Sequence, residues 1–422
     1  MRLSPAKEPA VQSTSLAVPV ATPADAPRVV SPTSLAAAFA AVPDPRRAAS
    51  IAYPLPAILA LAVAALLANH RSVLAIAEWG TSQTPSLLAA LGFPDGRTPC
   101  QSTLQRLFRR LDGHALAATL AAHLAPLAPP PTAAAAASPA IGPQGVAIDG
   151  KAQRGRLRFA TGGCPVHALS AFCHDHGVVL AHEPIEHGAD KAEAELTVAP
   201  ALLDRIDWHE RVLTGDALFC QRELCQRVRD GGGDYLLLVK ANQPALLQDI
   251  QLLFDPPPDV AALPLLDRRE AQTVERGHGR VDERRHLVAS TDLTGYLDWP
   301  GLAQVFRLER AWREGGRSHR ALHYGITSLG PACTGPAQLL DLRRGHWSIE
   351  NRLHRQKDVA FGEDASLVHL GQGPAVLALR RDAAISLLHR AGVRRIAARL
   401  RAHSRHPEQA VALVVNPPPA HA

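Results

Sequence analysis

Cysteine is scarce in this sequence, and none of it falls in a paired spacing. The six cysteines, at 100, 164, 173, 220, 225 and 333, form neither a CxxC pair nor a zinc-finger pattern. That excludes a cysteine-based zinc module and a disulfide scaffold, and leaves free thiols as in a reducing cytoplasm. No apolar run reaches the ~20 residues a membrane span needs. The nearest, Pro54 to Ala68, carries two prolines at its start and reads as a buried Ala/Leu helix. Residues 1–33 lack the apolar segment of a secretory signal, so a cytoplasmic protein without a membrane partner is expected. Internal repeats are absent too. Charge of one sign is in only slight excess: 45 Lys and Arg against 39 Asp and Glu, net +6. Such a balance is compatible with a nucleic-acid partner and does not by itself demand one.

What is present divides the 422 residues into parts. Residues 1–33, rich in Pro, Ala, Ser and Thr, read as a disordered tail. Residues 34–125 read as a helical domain; Leu104, Leu107, Phe108 and Leu111 recur at helical steps, with Arg106, Arg109 and Arg110 largely off that face. Those arginines suit either DNA contact or a solvated flank. The Pro runs and Ala tract of 126–143 read as a linker. From 144 the pattern is strand, strand, strand, helix, strand, helix, strand, which implies an α/β domain with a mixed sheet, extending to about 373. Within it, residues 268–330 alternate around Gly-centred turns and read as an antiparallel β insertion. Residues 374–422 read as a basic helical C-terminal region, whose Arg380, Arg381, Arg390, Arg394, Arg395, Arg399, Arg401 and Arg405 suit phosphate contact or a solvated face.

Two short apolar runs end in aspartate: VAIDGK at Asp149 and VLTGDA at Asp216. Reactive sites of open α/β sheets lie beyond the carboxyl ends of strands, so the two can converge. Mg²⁺ prefers oxygen ligands from a few carboxylates, and two such ions promote in-line phosphoryl displacement. A third carboxylate is offered by Glu350 in HWSIEN. Around it, His346, Glu350, His354 and Lys357 are spaced 4, 4 and 3 apart, which on a regular helix makes one stripe. That stripe admits three readings: an acid beside a phosphate-binding lysine, a zinc site, or a solvated charged face. If solvated, Lys357 would pair with a neighbour such as Asp358 or Glu363.

Five blocks taken together, VAIDGKAQRG, LLDRIDWHERVLTGDALFCQ, YLLLVKANQPALLQDI, GHGRVDERR and RGHWSIENRLHRQKDVAFGEDAS, resemble bacterial insertion-sequence DDE transposases of the H-repeat-associated type. The stretch from DPRRAAS to IAEWG resembles the N-terminal domain associated with that family. The resemblance runs in order from about residue 36 to 413. It implies a ribonuclease-H-like core with a β insertion before the last acidic helix, and catalytic acids at Asp149, Asp216 and Glu350. They lie 67 and 134 residues apart. It also implies two Mg²⁺ (or Mn²⁺) ions at an all-oxygen site. The partner it implies is DNA, both element ends and target, with a homodimer expected on paired ends in the bacterial nucleoid. The reaction it implies is end cleavage and joining, with no covalent protein intermediate expected. The wider group carries Tyr-x2-Arg-x3-Glu-x6-Lys at the last acid; here those places hold Arg343, His346, Glu350 and Lys357.

Expected DNA contacts are Lys357, His346, Arg343 and Arg344, then Lys240, Asn242 and Gln243 after a core strand, and His278 and Arg280 in a Gly-flanked turn. Each of the last five can equally serve its local turn. Trp347 is expected in the core, with stacking on a flipped base as the alternative. A transposase-derived protein that only binds DNA, or a nuclease of the same fold, would share much of this pattern; an intact acid triad weighs against the former.

Overall fold

Strands at the centre of a parallel sheet are buried on both faces, so they read as unbroken apolar runs. The runs before Asp149 and Asp216 are of this kind. They form β1 (Gln144–Ala152) and β4 (Arg211–Gly215), which pair in parallel. The computed structural model describes residues 33–131, 142–153, 167–185, 191–258, 265–277, 281–314 and 316–416. Residues 1–32 of the expected tail and 132–141 of the expected linker lie outside them.

A mixed α/β architecture results. β2 (His167–Cys173) and β3 (Val179–Ile185) continue antiparallel from β1 on one side. β5 (Asp234–Val239) pairs in parallel with β4 on the other. The expected insertion is β6 (Arg269–Gly277), β7 (Val281–Ser290), β8 (Gln304–Glu314) and β9 (Arg317–Thr327), paired antiparallel. These strands do not form a sheet of their own. β9 pairs with β5, so one nine-stranded sheet runs β3-β2-β1-β4-β5-β9-β8-β7-β6. Alternation along β5 divides the core: Tyr235, Leu237 and Val239 join the larger apolar cluster, while Leu236 and Leu238 pack with Phe306, Leu308, Leu339 and Leu340 on the opposite face.

Among the described residues, six α-helices precede the sheet: α1 (Leu35–Ala38), α2 (Leu55–Leu67), α3 (Val73–Thr81), α4 (Pro85–Ala90), α5 (Gln101–Arg110) and α6 (Gly113–Leu124). The most apolar stretch is α2. It is buried along nearly its whole length, and no described helix is long and apolar enough to cross a membrane. Within the sheet region come α7 (Lys191–Leu203), α8 (Arg222–Asp230), α9 (Pro244–Phe254) and α10 (Pro336–His346). A π-helical turn, Ile349–His354, joins α10 to the short α11 (Arg355–Val359). The chain returns through α12 (Gly373–Arg390), α13 (Ile396–Arg405) and α14 (Pro407–Val415), of which α12 and α14 pack on α2.

Two expectations about basic residues are corrected here. Lys357 does not lie on an exposed stripe with Glu350. The π turn, where the Arg355 N–H donates to the Glu350 carbonyl five residues back, takes one residue more per turn and rotates the residues after it. Lys357 is therefore 2% exposed and its Nζ lies 2.5 Å from Oδ1 of buried Asp382 on α12. Nor are Arg380, Arg381 and Arg390 surface residues; all three are buried. Arg380 donates to the carbonyls of Ala62 and Arg71, and Arg381 pairs with Glu363 at 3.3 Å.

Burial opposes ionisation of Asp382, but Lys357 and then His182, 2.8 Å away, outweigh it and hold the carboxyl below its usual range. Removing one partner of a buried pair strands the other charge and costs about 3–5 kcal/mol. Lys357→Ala is thus expected to lower the unfolding midpoint markedly. The acid's contribution should be full above the ordinary carboxylate pKa of about 4 and vanish as pH falls through the lower folded value. Chemical denaturation of both proteins at neutral pH checks this; equal midpoints would return Lys357 to the surface.

Candidate active site

The parallel register carries two acids to the same place. Ala147 faces Thr214 across β1 and β4, and Asp149 and Asp216 each stand two residues farther along. Both therefore project to one face just beyond the point where the β1–β4 pairing ends. The turn after α10 brings Glu350 against that edge. All three acids line one cleft of about 890 Å³, whose opposite wall is built from β5 to β8. Among the described residues lining it there is no Ser, Thr, Tyr or Cys.

Histidines flank the acids. His354 is buried, with Nδ1 3.4 Å from Asp149 Oδ2 and 3.8 Å from Glu350 Oε2. Burial opposes ionisation of Asp149, yet the contacts with His354 and Glu350 outweigh it and keep the carboxyl below its usual range. Burial, then the hydrogen bond and charge of Asp149, push Glu350 upward. Two carboxylates held this close repel each other unless a proton or a cation lies between them. That donor set fits a small divalent cation. Asp216 is flanked differently: Arg343 Nη2 is 3.5 Å from its Oδ1 and His346 Nε2 is 3.8 Å away.

Beneath Asp216 runs a buried polar chain that the sequence did not disclose. His174 Nε2 lies 3.0 Å from Thr214 Oγ1, and the same oxygen lies 3.2 Å from His346 Nδ1. The His174 ring occupies space left by two glycines. A Cβ at Gly145 or Gly345 would approach it to 2.1 or 2.3 Å. Burial drives His174 down to about 3 and His346 down to about 4, so both are neutral at ordinary pH. The only sequence signal was the polar His-Asp-His-Gly turn between β2 and β3.

The remaining expected contacts separate clearly. Arg343, Arg344, His346 and Lys240 line the cleft. Asn242 and Gln243 spend their amides on the chain instead, donating to the carbonyls of Ala217 and Cys220, which fixes the turn after β5. Neither lines the cleft, and these bonds match the local-turn alternative that the sequence left open for both. His278 and Arg280 lie outside the described residues. Trp347 is not a core residue; it is 46% exposed at the cleft. The Arg310 guanidinium lies 5.0 Å over its ring and 4.7 Å over that of Trp312, which stacks on His319. Arg310 and Trp312 were not singled out by sequence, although they share the alternation of Phe306 and Leu308 on β8.

Residues 142–373 match the family model described as a transposase DDE domain. The chain belongs to this transposase family. Residues 36–124 match the model of the family's associated segment. The transposase is 27% identical over 358 residues to YncI of Escherichia coli O157:H7, itself named as a transposase; the match covers 82% of this chain and 85% of that one. It is 28% identical over 268 residues to the H repeat-associated YhhI of Escherichia coli K12, also named as a transposase, covering 59% and 66%. An uncharacterized protein in the dhlA 3' region of Xanthobacter autotrophicus is 30% identical, covering 64% and 86%. These relatives bear out the resemblance to the H-repeat-associated type. Among solved structures, a piggyBac transposase synaptic complex with hairpin DNA aligns over 89% of this chain and 76% of that one. Its TM-score of 0.39 and 11% identity carry no argument.

Burial also drives His389 and His403 down to about 4. Unfolded imidazoles titrate near pH 6.5, so below that value the unfolded transposase binds more protons than the folded one. Stability is then full above about pH 6.5 and falls as pH drops toward about 4. Urea midpoints measured between about pH 7 and pH 5 should decline steadily. A flat profile would mean that these rings are not held neutral in the folded chain.

Proposed function

We propose that this transposase cleaves the ends of its element and joins them to target DNA, with Asp149, Asp216 and Glu350 as the catalytic acids. The observation that carries this reading is their convergence: three carboxylates far apart in sequence line one cleft. The strand order 3-2-1-4-5, with β1, β4 and β5 parallel and β2 reversed, supports a ribonuclease-H-like core. The matched span 142–373 supports treating 144–373 as one catalytic unit. The helices at 34–125 and those after 374 are read as its supporting parts.

Asp149 and Glu350 would hold one divalent cation, Mg²⁺ or Mn²⁺, and Asp216 would complete the site with a second. Bound there, such cations supply Lewis acidity toward a phosphodiester. The chain's own residues do the rest. Arg343 and Arg344 offer planar donors to phosphate at the acid edge, and Lys240 offers a point charge from the end of β5. Neutral His346 orients toward Asp216 without adding a charge. Trp347 and Arg310 present flat surfaces to a base at the cleft mouth. Because no hydroxyl or thiol side chain among the described residues lines the cleft, strand exchange by direct displacement fits better than a covalent protein–DNA intermediate. Paired ends would bring two copies together.

The test is cleavage of DNA carrying the element's own ends. Asp149→Asn, Asp216→Asn and Glu350→Gln should each lower cleavage by roughly a thousandfold while end-DNA affinity stays within about threefold, since a ligand charge is lost with little change of shape. EDTA should abolish wild-type cutting. Any of the three variants cutting at near wild-type rate would remove that residue from the triad.

A further inference from the structure

We infer that His354 is a direct ligand of the cation held by Asp149 and Glu350, making it a mixed nitrogen–oxygen position that favours Mn²⁺. This rests on the acid assignment proposed above and departs from the all-oxygen site expected from sequence. One ligand atom from each of Asp149, Glu350 and His354 can be chosen so that all lie within 4.8 Å of one another. The imidazole is 6% exposed, and its Nε2 has no hydrogen-bond partner among the described residues. Nδ1 faces both carboxylates at 3.4 and 3.8 Å, looser than the 2.7–3.2 Å of a well-formed N–H···O bond. A buried imidazole with one nitrogen unpartnered and the other loosely set against two acids is poorly satisfied by those acids alone. A cation at their centre would engage Nδ1 and both carboxylates at once.

Local backbone supports the same reading. The π turn begins at Ile349 and ends at His354, so its widened spiral carries Glu350 and His354 together and sets both against β1. His346 is occupied elsewhere: its Nδ1 is bonded to Thr214 and its other nitrogen faces Asp216. The competing role for His354 is that of a hydrogen-bonding partner orienting Asp149 from outside the coordination sphere. The two roles differ in whether nitrogen touches the cation. They also differ in metal preference, because Mg²⁺ takes oxygen ligands whereas Mn²⁺ accepts imidazole more readily.

Pulsed electron paramagnetic resonance on Mn²⁺ added to the full chain without DNA separates them. The wild-type complex should show coupling to a directly bound ¹⁴N. His354→Asn, which puts an amide oxygen close to the place of Nδ1, should lose that coupling and bind Mn²⁺ about tenfold more weakly, with Mg²⁺ affinity changed less than about threefold. His346→Asn should keep the coupling. A wild-type complex without nitrogen coupling overturns the assignment, whether or not any variant folds, and so does coupling that persists in His354→Asn. If Asp149→Asn binds Mn²⁺ as tightly as wild type, the acid site itself fails and this assignment with it. Tight, acid-dependent Mn²⁺ binding without nitrogen coupling would instead leave the proposed function standing and return His354 to an orienting role.

Discussion

Asp382 is a carboxylate that the fold buries completely, between Lys357 and His182. Removing two or three ionisable groups from water costs several kcal/mol each, and only their mutual contact offsets it. None of the three can therefore shift alone. They come from α12, from the helix that follows Glu350, and from β3 at the sheet edge, so one buried contact ties the C-terminal helices, the acidic turn and the sheet together. A second set repeats the device closer to the cleft. Lys151, two residues beyond Asp149 on β1, meets Asp358 at 2.9 Å and Glu363 at 3.8 Å. Glu363 in turn meets Arg381. The strand bearing one acid and the helix bearing another are thus clamped by paired charges just behind both.

Such clamping fixes the backbones that carry Asp149 and Glu350 while their carboxylates face each other. Repulsion between Asp149 and Glu350 pushes apart side chains whose backbones are not free to move. Beneath Asp216 the fill is polar but uncharged: neutral His174 and His346 and the hydroxyl of Thr214 occupy the space. The glycines at 145 and 345 admit the His174 ring at a distance no other residue would tolerate. Polar satisfaction without net charge leaves the acids as the principal negative groups at the cleft floor, where a cation lowers the energy most.

This division also marks what a sequence discloses. Asp149 and Asp216 were legible because each closes an apolar run, a pattern that arises from burial on both faces of a parallel sheet. Glu350 rested on resemblance, since an acid on a helix is commonplace by spacing. Lys357 was misplaced because a regular 3.6-residue turn was assumed, and a π turn leaves no mark in composition. Arg380, Arg381 and Arg390 looked like surface charge because their partners, Glu363 and the carbonyls of Ala62 and Arg71 for two of them, are remote in sequence. Trp347 was assigned to the core by residue type, whereas it lies exposed under the Arg310 guanidinium. Alternation identified the β insertion. Its fusion to the central sheet was hidden, because edge pairing between β5 and β9 depends on backbone groups common to every residue.

That fusion has a geometric consequence for the proposed reaction. Asp216 follows β4 and Arg310 lies on β8, and the sheet order places β5 and β9 between them. Three strand steps at about 4.8 Å give a separation of about 14 Å. At about 3.4 Å per nucleotide along one strand, that span corresponds to roughly four nucleotides. A separately hinged insertion would leave the distance free to vary. Because the hydrogen-bond ladder is continuous, Asp216 and the Arg310–Trp312 pair stand on one sheet at a fixed spacing. In the proposed reaction, a strand held against Arg310 would be presented to the acids in one register, so that the sheet would help set the position of the cut.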